Sequence, residues 1–296
     1  LEETEVSLSE VLHDLKTIIS GQIHAKQLEL YMDVMDVTNE DVYCDKTRLN
    51  QVLLNLLSNC DQIYSCRRNR FCPAERVSGT QRGCELYEIR VKDNGIGMSQ
   101  KFVQKIFSPF ERERTSTVSR TQGTGLGMAI TKNIVDMMGG TIEVQTEQGK
   151  GTEFIVRLPF RIQPEQHRIE KIAELEGLKA LVVDDDFDTC DSVTKMLVRV
   201  GMRSEWTLSG REAVLRVRQS MELGDAFHAY IIDWRLPDMN GIEVTRQIRS
   251  LGDDTPIIIL TAYDWSEIER KQEQQESNAF CAKPIFMSDI RDTLMT

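Results

Sequence analysis

Five polar residues close apolar runs and could act together. Asp184 and Asp185 follow Lys179-Ala180-Leu181-Val182-Val183, Asp233 follows Ala229-Tyr230-Ile231-Ile232, Thr261 follows Pro256-Ile257-Ile258-Ile259-Leu260, and Lys283 follows Ala279-Phe280-Cys281-Ala282. Three carboxylates brought together repel one another, and Mg²⁺, which prefers oxygen ligands, resolves that repulsion. The residue types then separate into tasks. Asp184 and Asp185, with Asp233, would hold the metal; Asp233 would attack a phosphoryl group; Lys283 would offset charge developing on the transferred oxygens. The plainer reading of the same residues is an acidic cluster that caps and solvates one end of a sheet.

A second constellation is built on glycine. Asp93-Asn94-Gly95-Ile96-Gly97-Met98 follows the alternating run Leu86-Tyr87-Glu88-Ile89-Arg90-Val91-Lys92, so the acid sits where a strand gives way to a loop. Its carboxylate could accept a hydrogen bond from an exocyclic amine, while the glycines let the backbone approach a flat ligand. Asp-Asn-Gly is also ordinary turn chemistry. Downstream, Gln122-Gly123-Thr124-Gly125-Leu126-Gly127 feeds an apolar-periodic segment that ends on Gly139-Gly140. A glycine loop opening a helix is a ready phosphate site. The spacing is neither the dinucleotide fingerprint nor a P-loop. Upstream, residues 45–59 read as a helix with Leu49, Val52, Leu53, Leu56 and Leu57 buried, and Asn55 and Asn59 fall together on another face.

The elements that must position these groups fall into two sets. Residues 189–200, 210–220 and 241–250 carry helical patterns between the four apolar runs of the first constellation. Strands alternating with helices predict a doubly wound parallel sheet with its chemistry at the carboxyl ends of the strands. Ahead of it, the half-buried strand and amphipathic helices around the glycine loops predict a separate α/β domain. At 296 residues the chain can hold two cores. The polar, Glu-rich stretch 161–177 reads as the linker between domains 1–160 and 178–296.

Over residues 6–160 the chain resembles the ATP-binding domain of sensor histidine kinases, in the superfamily shared with gyrase, the Hsp90 chaperone and MutL. The boxes run in family order: Asn55 and Asn59, Asp93-x-Gly95-x-Gly97, Phe107-Ser108-Pro109-Phe110, Gly123-x-Gly125-x-Gly127 and Gly149-Lys150-Gly151-Thr152-x-Phe154. The resemblance implies that Asp93 binds the adenine amino group of ATP, with Gly95, Gly97 and Thr152 also in the nucleotide site. It assigns Asn55 and Asn59 to the Mg²⁺-triphosphate, Gly123, Thr124, Gly125, Leu126 and Gly127 to the phosphates, and residues 99–122 to a mobile lid. Hydrolytic members carry Glu where this chain has Asn55, and an amide cannot act as general base, which favours phosphoryl transfer over hydrolysis. From 177 to 296 the chain resembles the receiver domain of response regulators, including Pro237-Asp238-Met239-Asn240-Gly241 and Lys283-Pro284. There Thr261 would turn toward the acyl phosphate and Phe280 would change rotamer with it.

The two resemblances together imply the C-terminal part of a hybrid sensor histidine kinase. ATP would phosphorylate a histidine outside this chain, with onward transfer to Asp233. Its partners would be a histidine-containing dimerisation or phosphotransfer domain and a downstream phosphotransfer or response-regulator protein, in a homodimeric full-length protein. His13-Asp14-Leu15-Lys16-Thr17 resembles the family's acceptor box without its proline. The short interval from His13 to Asn55 is needed for the first helix and strand of the ATP domain, so His13 reads as a surface histidine. The family pattern lapses after Asn59, where Asp61 and Gln62 stand in place of an apolar residue and a lysine. That departure keeps a second reading open: a regulatory module with weak or absent ATP binding, its receiver charged by another kinase. A third reading, a hydrolytic ATPase, is disfavoured by Asn55.

Composition excludes other classes. A net charge of −11 argues against direct nucleic-acid binding, and no apolar run nears the ~20 residues of a membrane span. A cytoplasmic chain is expected, with any membrane or sensor segment ahead of it in a longer gene product. Seven cysteines, an odd number without a Cys-x₂-Cys pair, read as free thiols rather than a zinc site.

Overall fold

The structure, a computed structural model, describes residues 1–25, 30–59, 67–73, 83–111, 125–163, 171–261 and 279–295. The chain forms two compact units, Leu1–Asp33 with Val37–Gln166, and His167–Thr296 with Val34–Asp36.

The first unit is built on β1 (Thr4–Ser7), β2 (Leu30–Val34), β3 (Asp41–Cys44), β4 (Arg67–Pro73), β5 (Cys84–Asp93), β6 (Thr141–Glu147) and β7 (Gly151–Ile162). The sheet order is β1-β3-β7-β5-β4-β2, with β6 also paired to β7. Its spine is the antiparallel ladder of β5 on β7, from Cys84 opposite Arg161 to Asp93 opposite Thr152. Period-two alternation explains why: Tyr87, Ile89 and Val91 of β5, and Phe154, Val156, Leu158 and Phe160 of β7, are all buried.

Helices α1 (Leu8–Ala25), α2 (Lys46–Asn59) and α4 (Gly127–Met137) belong to this unit, with a single turn α3 (Gln100–Val103). Ser7 caps α1 by accepting the Glu10 N–H at 3.4 Å. Val11, Leu12, Leu15 and Ile19 face the core, while Ile18 is 56% exposed. Seven residues fall about 20° short of two full turns, so Ile18 passes the edge of a stripe that Val11 already borders. In α2 all five expected apolar residues are buried.

The second unit contains β8 (Lys179–Val183), α5 (Phe187–Arg199), β9 (Arg203–Thr207), α6 (Gly210–Leu223), β10 (Ala229–Asp233), α7 (Gly241–Ser250), β11 (Ile257–Thr261), β12 (Ala279–Ala282) and α8 (Met287–Leu294). The strands form one parallel sheet ordered β12-β11-β10-β8-β9. Alternate strand residues feed two cores. Ala180, Val182, Ile231, Ile258 and Leu260 pack with α5 and α8, whereas Leu181, Val183, Tyr230, Ile232, Ile257 and Ile259 pack with α6 and α7. A sheet buried on both faces needs continuous apolar runs, which is what the sequence supplies. Strand β9 and helix α8 are additions to the sequence reading. Strand β7 continues to Ile162, and Leu175 of a 3-10 turn over Ala173–Leu175 joins the α5 core.

Candidate functional site

Asp184 follows β8 and Asp233 ends β10, its neighbour in the sheet, so both carboxylates emerge at the same edge. Lys283 follows β12. Its backbone N–H donates to the Thr261 carbonyl at 2.8 Å, and the Lys283–Pro284 peptide is cis. The Lys283 ammonium lies 2.6 Å from Asp184 Oδ2 and 2.7 Å from Asp233 Oδ1. Each carboxylate is also aimed locally: Asp184 Oδ1 accepts the Asp186 N–H at 2.9 Å, and Asp233 Oδ2 accepts the Arg235 N–H at 2.8 Å. Thr261 is fully buried at the end of β11.

Burial pushes the Asp184 carboxyl up to about 6; the charge of Asp233 adds to this and Lys283 opposes it. Burial pulls the Lys283 ammonium down, but Asp184 and Asp233 outweigh it and hold it above the usual lysine range. The pair Asp184 and Asp233 thus faces one shared cation, while Asp185 stands exposed. Among the described residues no three His, Cys, Asp or Glu side chains converge as a ready-made metal cage.

Two further residues shape this edge. A Cβ at Gly241 would stand 2.6 Å from the Asp233 carbonyl oxygen, so only glycine lets α7 start this close behind Asp233. Asp238, noted in sequence only as part of a run, accepts Ser209 Oγ at 2.9 Å, Gly210 N–H at 3.1 Å and Arg211 N–H at 2.9 Å. It pins the loop after Asp233 to the first turn of α6.

In the first unit the β5–β7 register sets Asp93 opposite Thr152, and the β6–β7 register sets Thr146 opposite Thr152. Directly opposed residues share a face, so Thr146, Thr152 and Asp93 form a row across three strands. Asp93 is 6% exposed and its Oδ1 accepts the Gly95 N–H at 2.8 Å. The glycine loop rests on the β6–β7 turn: Gly149 N–H donates to the Ile96 carbonyl at 2.7 Å. Contact there is too close for any side chain. With φ +64°, Gly97 would place a Cβ 2.1 Å from the Glu147 carbonyl oxygen, and Gly151, φ +99°, would place one 2.1 Å from that of Asp93.

Asn55 of α2 donates to Thr131 Oγ1 at 3.3 Å and to the Gly127 carbonyl at 3.4 Å, which sets it against the first turn of α4. Leu126, at the N-cap of α4, makes no side-chain capping bond, and a Cβ on Gly127 would meet open space. A helix N-terminus of this kind favours an anion through its dipole. Gly123, Thr124, the side chain of Asn59, most of the expected lid and the Asp61-Gln62 departure lie outside the described residues. His13 sits within α1, half-buried, its Nδ1 2.9 Å from the Ser9 carbonyl. No described helix is long and apolar enough to cross a membrane.

Residues 44–162 match the family of histidine kinase-, DNA gyrase B- and HSP90-like ATPases, and residues 180–295 match the response regulator receiver domain. The autoinducer 2 sensor kinase/phosphatase LuxQ of Vibrio parahaemolyticus is 30% identical over 290 residues, covering 94% of this chain and 33% of that protein. The sensory/regulatory protein RpfC of Xanthomonas campestris is 27% identical over 327 residues, covering 99% of this chain and 44% of that protein. This chain therefore spans less than half the length of either relative. The crystal structure of full-length ShkA in complex with AMPPNP shares the fold, with a TM-score of 0.50 at 18% identity over 100% of this chain and 84% of that one.

Proposed function

This chain belongs to the hybrid sensor histidine kinases, an ATPase domain followed by a receiver domain, and from that premise we propose that it binds Mg²⁺-ATP to phosphorylate a histidine outside the chain and then takes the phosphoryl group onto Asp233. The observation that carries this reading is the Lys283 ammonium between Asp184 and Asp233 at the carboxyl edge of the parallel sheet.

Asp233 is the nucleophile. A carboxylate oxygen attacks the phosphorus of a phosphohistidine; the O–P bond forms as the N–P bond breaks, and the electron pair leaves on the imidazole nitrogen, which then takes a proton. Lys283 faces the growing charge on the equatorial oxygens, and the Arg235 N–H holds Asp233 in place. Thr261, at the end of the neighbouring strand, is the group that responds to the acyl phosphate.

The residues present fit Mg²⁺. Their donors are all oxygen, and the buried Asp184, raised by burial and by Asp233, gains from a second nearby positive charge. Asp184, Asp185 and Asp233 would hold the ion, which supplies charge neutralisation at the phosphoryl oxygens. At the nucleotide site, Asp93, Gly95, Gly97 and Thr152 take the adenine, Gly123 to Gly127 the phosphates, and Asn55 and Asn59 the Mg²⁺-triphosphate. An amide at Asn55 cannot activate water as a carboxylate at that position would, so ATP is held for transfer. The partners are a histidine-bearing dimerisation or phosphotransfer domain and a downstream phosphotransfer or regulator protein, in a homodimeric whole.

A second reading rests on the sequence departure at Asp61 and Gln62: a regulatory module that binds ATP weakly, its Asp233 charged by another kinase. Calorimetric titration with ATP and Mg²⁺, beside Asp93→Ala, separates them. Saturable binding lost in the variant supports the kinase reading. Absence of binding, with Asp233 still labelled by a small phosphodonor, overturns it in favour of the second.

A further inference from the structure

Thr146 lies outside every motif that marks the nucleotide site, yet its side chain bonds the backbone on both sides of that site. It stands in the same cross-strand row as Thr152 and Asp93. Its hydroxyl accepts the Met98 N–H at 2.9 Å, donates to the Gly151 carbonyl at 2.9 Å, and lies 3.1 Å from Thr152 Oγ1. Met98 closes the Asp93 loop, and Gly151 opens β7.

A hydroxyl has one hydrogen and two lone pairs. The one hydrogen of Thr146 goes to the Gly151 carbonyl, which can only accept. One lone pair takes the Met98 N–H, which can only donate. What remains toward Thr152 is a lone pair, so in the contact between the two hydroxyls Thr152 must be the donor. Its own hydrogen is thereby committed backward, and only its lone pairs face outward. Asp93 already takes the Gly95 N–H on Oδ1, and its carboxylate oxygens present further acceptor lone pairs. The row therefore ends in two acceptors side by side.

Resting on the ATP reading of this site, we propose that Thr146 is a positioning residue for base selectivity: by fixing the direction of the Thr152 hydroxyl it makes the pocket select a purine with a 6-amino donor over one with a 6-oxo acceptor. Without Thr146 the Thr152 hydroxyl turns freely and can donate to an oxo group as well as accept from an amine.

The test uses the full chain, with ATP and inosine triphosphate as probes, which differ at the purine 6-position, amino against oxo, and at N1, bare acceptor against N–H donor. Thr146→Val keeps the shape and removes all three bonds. The expected result is a fall of about tenfold in the ratio of ATP to inosine triphosphate affinity, the scale of one hydrogen bond gained or lost against the wrong group. Thr146→Ser keeps the hydroxyl and restores the parent ratio. In a Thr152→Val background, where there is no hydroxyl to direct, Thr146→Val leaves the ratio unchanged. Thr152→Val alone, which leaves the Thr146 bonds to Met98 and Gly151 in place, should lower the ratio in the same sense, and that reading survives a poorly folded Thr146→Val. An unchanged ratio in Thr146→Val, or a Ser variant that behaves like Val, overturns the role of Thr146 while leaving the ATP site standing. No saturable ATP binding by the unsubstituted chain overturns both.

Discussion

Lys283 Nζ stands 2.6 Å from Asp184 Oδ2, an ion pair whose carboxylate side chain is 1% exposed. Its pH dependence follows from burial, which raises Asp184 from 3.8 to about 6. A raised acid binds its proton more tightly in the folded state, so its favourable contribution is complete below the unfolded value and is lost as pH climbs through the folded one. In metal-free buffer, stability of the second unit should fall between about pH 4 and pH 6 on this account, by about 3 kcal/mol for roughly two pKa units. Asp184→Asn should flatten that slope. All three tryptophans, Trp206, Trp234 and Trp265, lie in this unit, so urea unfolding followed by tryptophan fluorescence reads it separately. An Asn variant that keeps the parent's slope would refute the assignment.

Lys283→Met removes the cation shared by two carboxylates. Breaking a buried pair from one side costs about 3–5 kcal/mol, because the partner charge is left uncompensated. The loss should be largest in chelator and partly recovered by Mg²⁺, which binds the folded state alone. Adding Asp184→Asn should suppress much of it, since one of the two stranded charges is then gone. Labelling of Asp233 by phosphoramidate should drop by about 10²-fold or more, the scale for loss of a group aimed at developing charge. Full labelling in the Met variant would place the charge-stabilising group elsewhere.

The parallel sheet was legible because a strand buried on both faces needs an unbroken apolar run, and three such runs lead to Asp184, Asp233 and Thr261, while a fourth apolar run, at the sheet edge with only Cys281 buried, leads to Lys283. Strand β9 was not. Arg203-Ser204-Glu205-Trp206-Thr207 lies at the sheet edge with only Thr207 buried, so its sequence lacks the run that marked the others. Asp184 and Asp185 look equivalent in sequence, and only the fold decides that Asp184 is the buried one. Thr146 was invisible for a related reason. It is one polar residue in Thr141-Ile142-Glu143-Val144-Gln145-Thr146-Glu147, and its importance comes from the register that sets it beside Thr152.

Asp238→Ala should loosen the loop that follows the acceptor. Burial would raise the Asp238 carboxyl, but the N–H groups of Arg211 and Gly210 and the Ser209 hydroxyl hold it below the ordinary carboxylate range. A depressed acid stabilises above its unfolded pKa and loses that contribution as pH falls below it. The variant should therefore lose stability at neutral pH, by about 1–2 kcal/mol as for a helix cap, and approach the parent under acid conditions. Phosphoramidate labelling of Asp233 should slow, because Arg235, whose N–H aims the carboxylate, rides on the same loop. An effect on stability without any change in labelling would confine Asp238 to capping α6.

Gly151→Ala should abolish nucleotide binding while sparing the receiver. At φ +99° the backbone is strained for any L side chain, by about 1–2 kcal/mol per residue even in the milder left-handed helical region. The added Cβ would also meet the Asp93 carbonyl oxygen at 2.1 Å and Asn94 Cα at 2.7 Å, both backbone atoms that cannot swing aside as a flexible side chain would. Relief requires β5 and β7 to part where Asp93 faces Thr152, so the acid and the glycine loop move together. Gly149→Ala serves as the control. That residue also has positive φ, at +83°, but a Cβ there meets nothing within 4 Å, so it carries the strain without the clash. Calorimetry with ATP and Mg²⁺ should show binding lost in Gly151→Ala and weakened far less in Gly149→Ala, with Asp233 labelled equally in both. Equal losses of ATP binding in the two variants would mean that backbone conformation, and not the close approach of Gly151 to Asp93, governs this corner of the site.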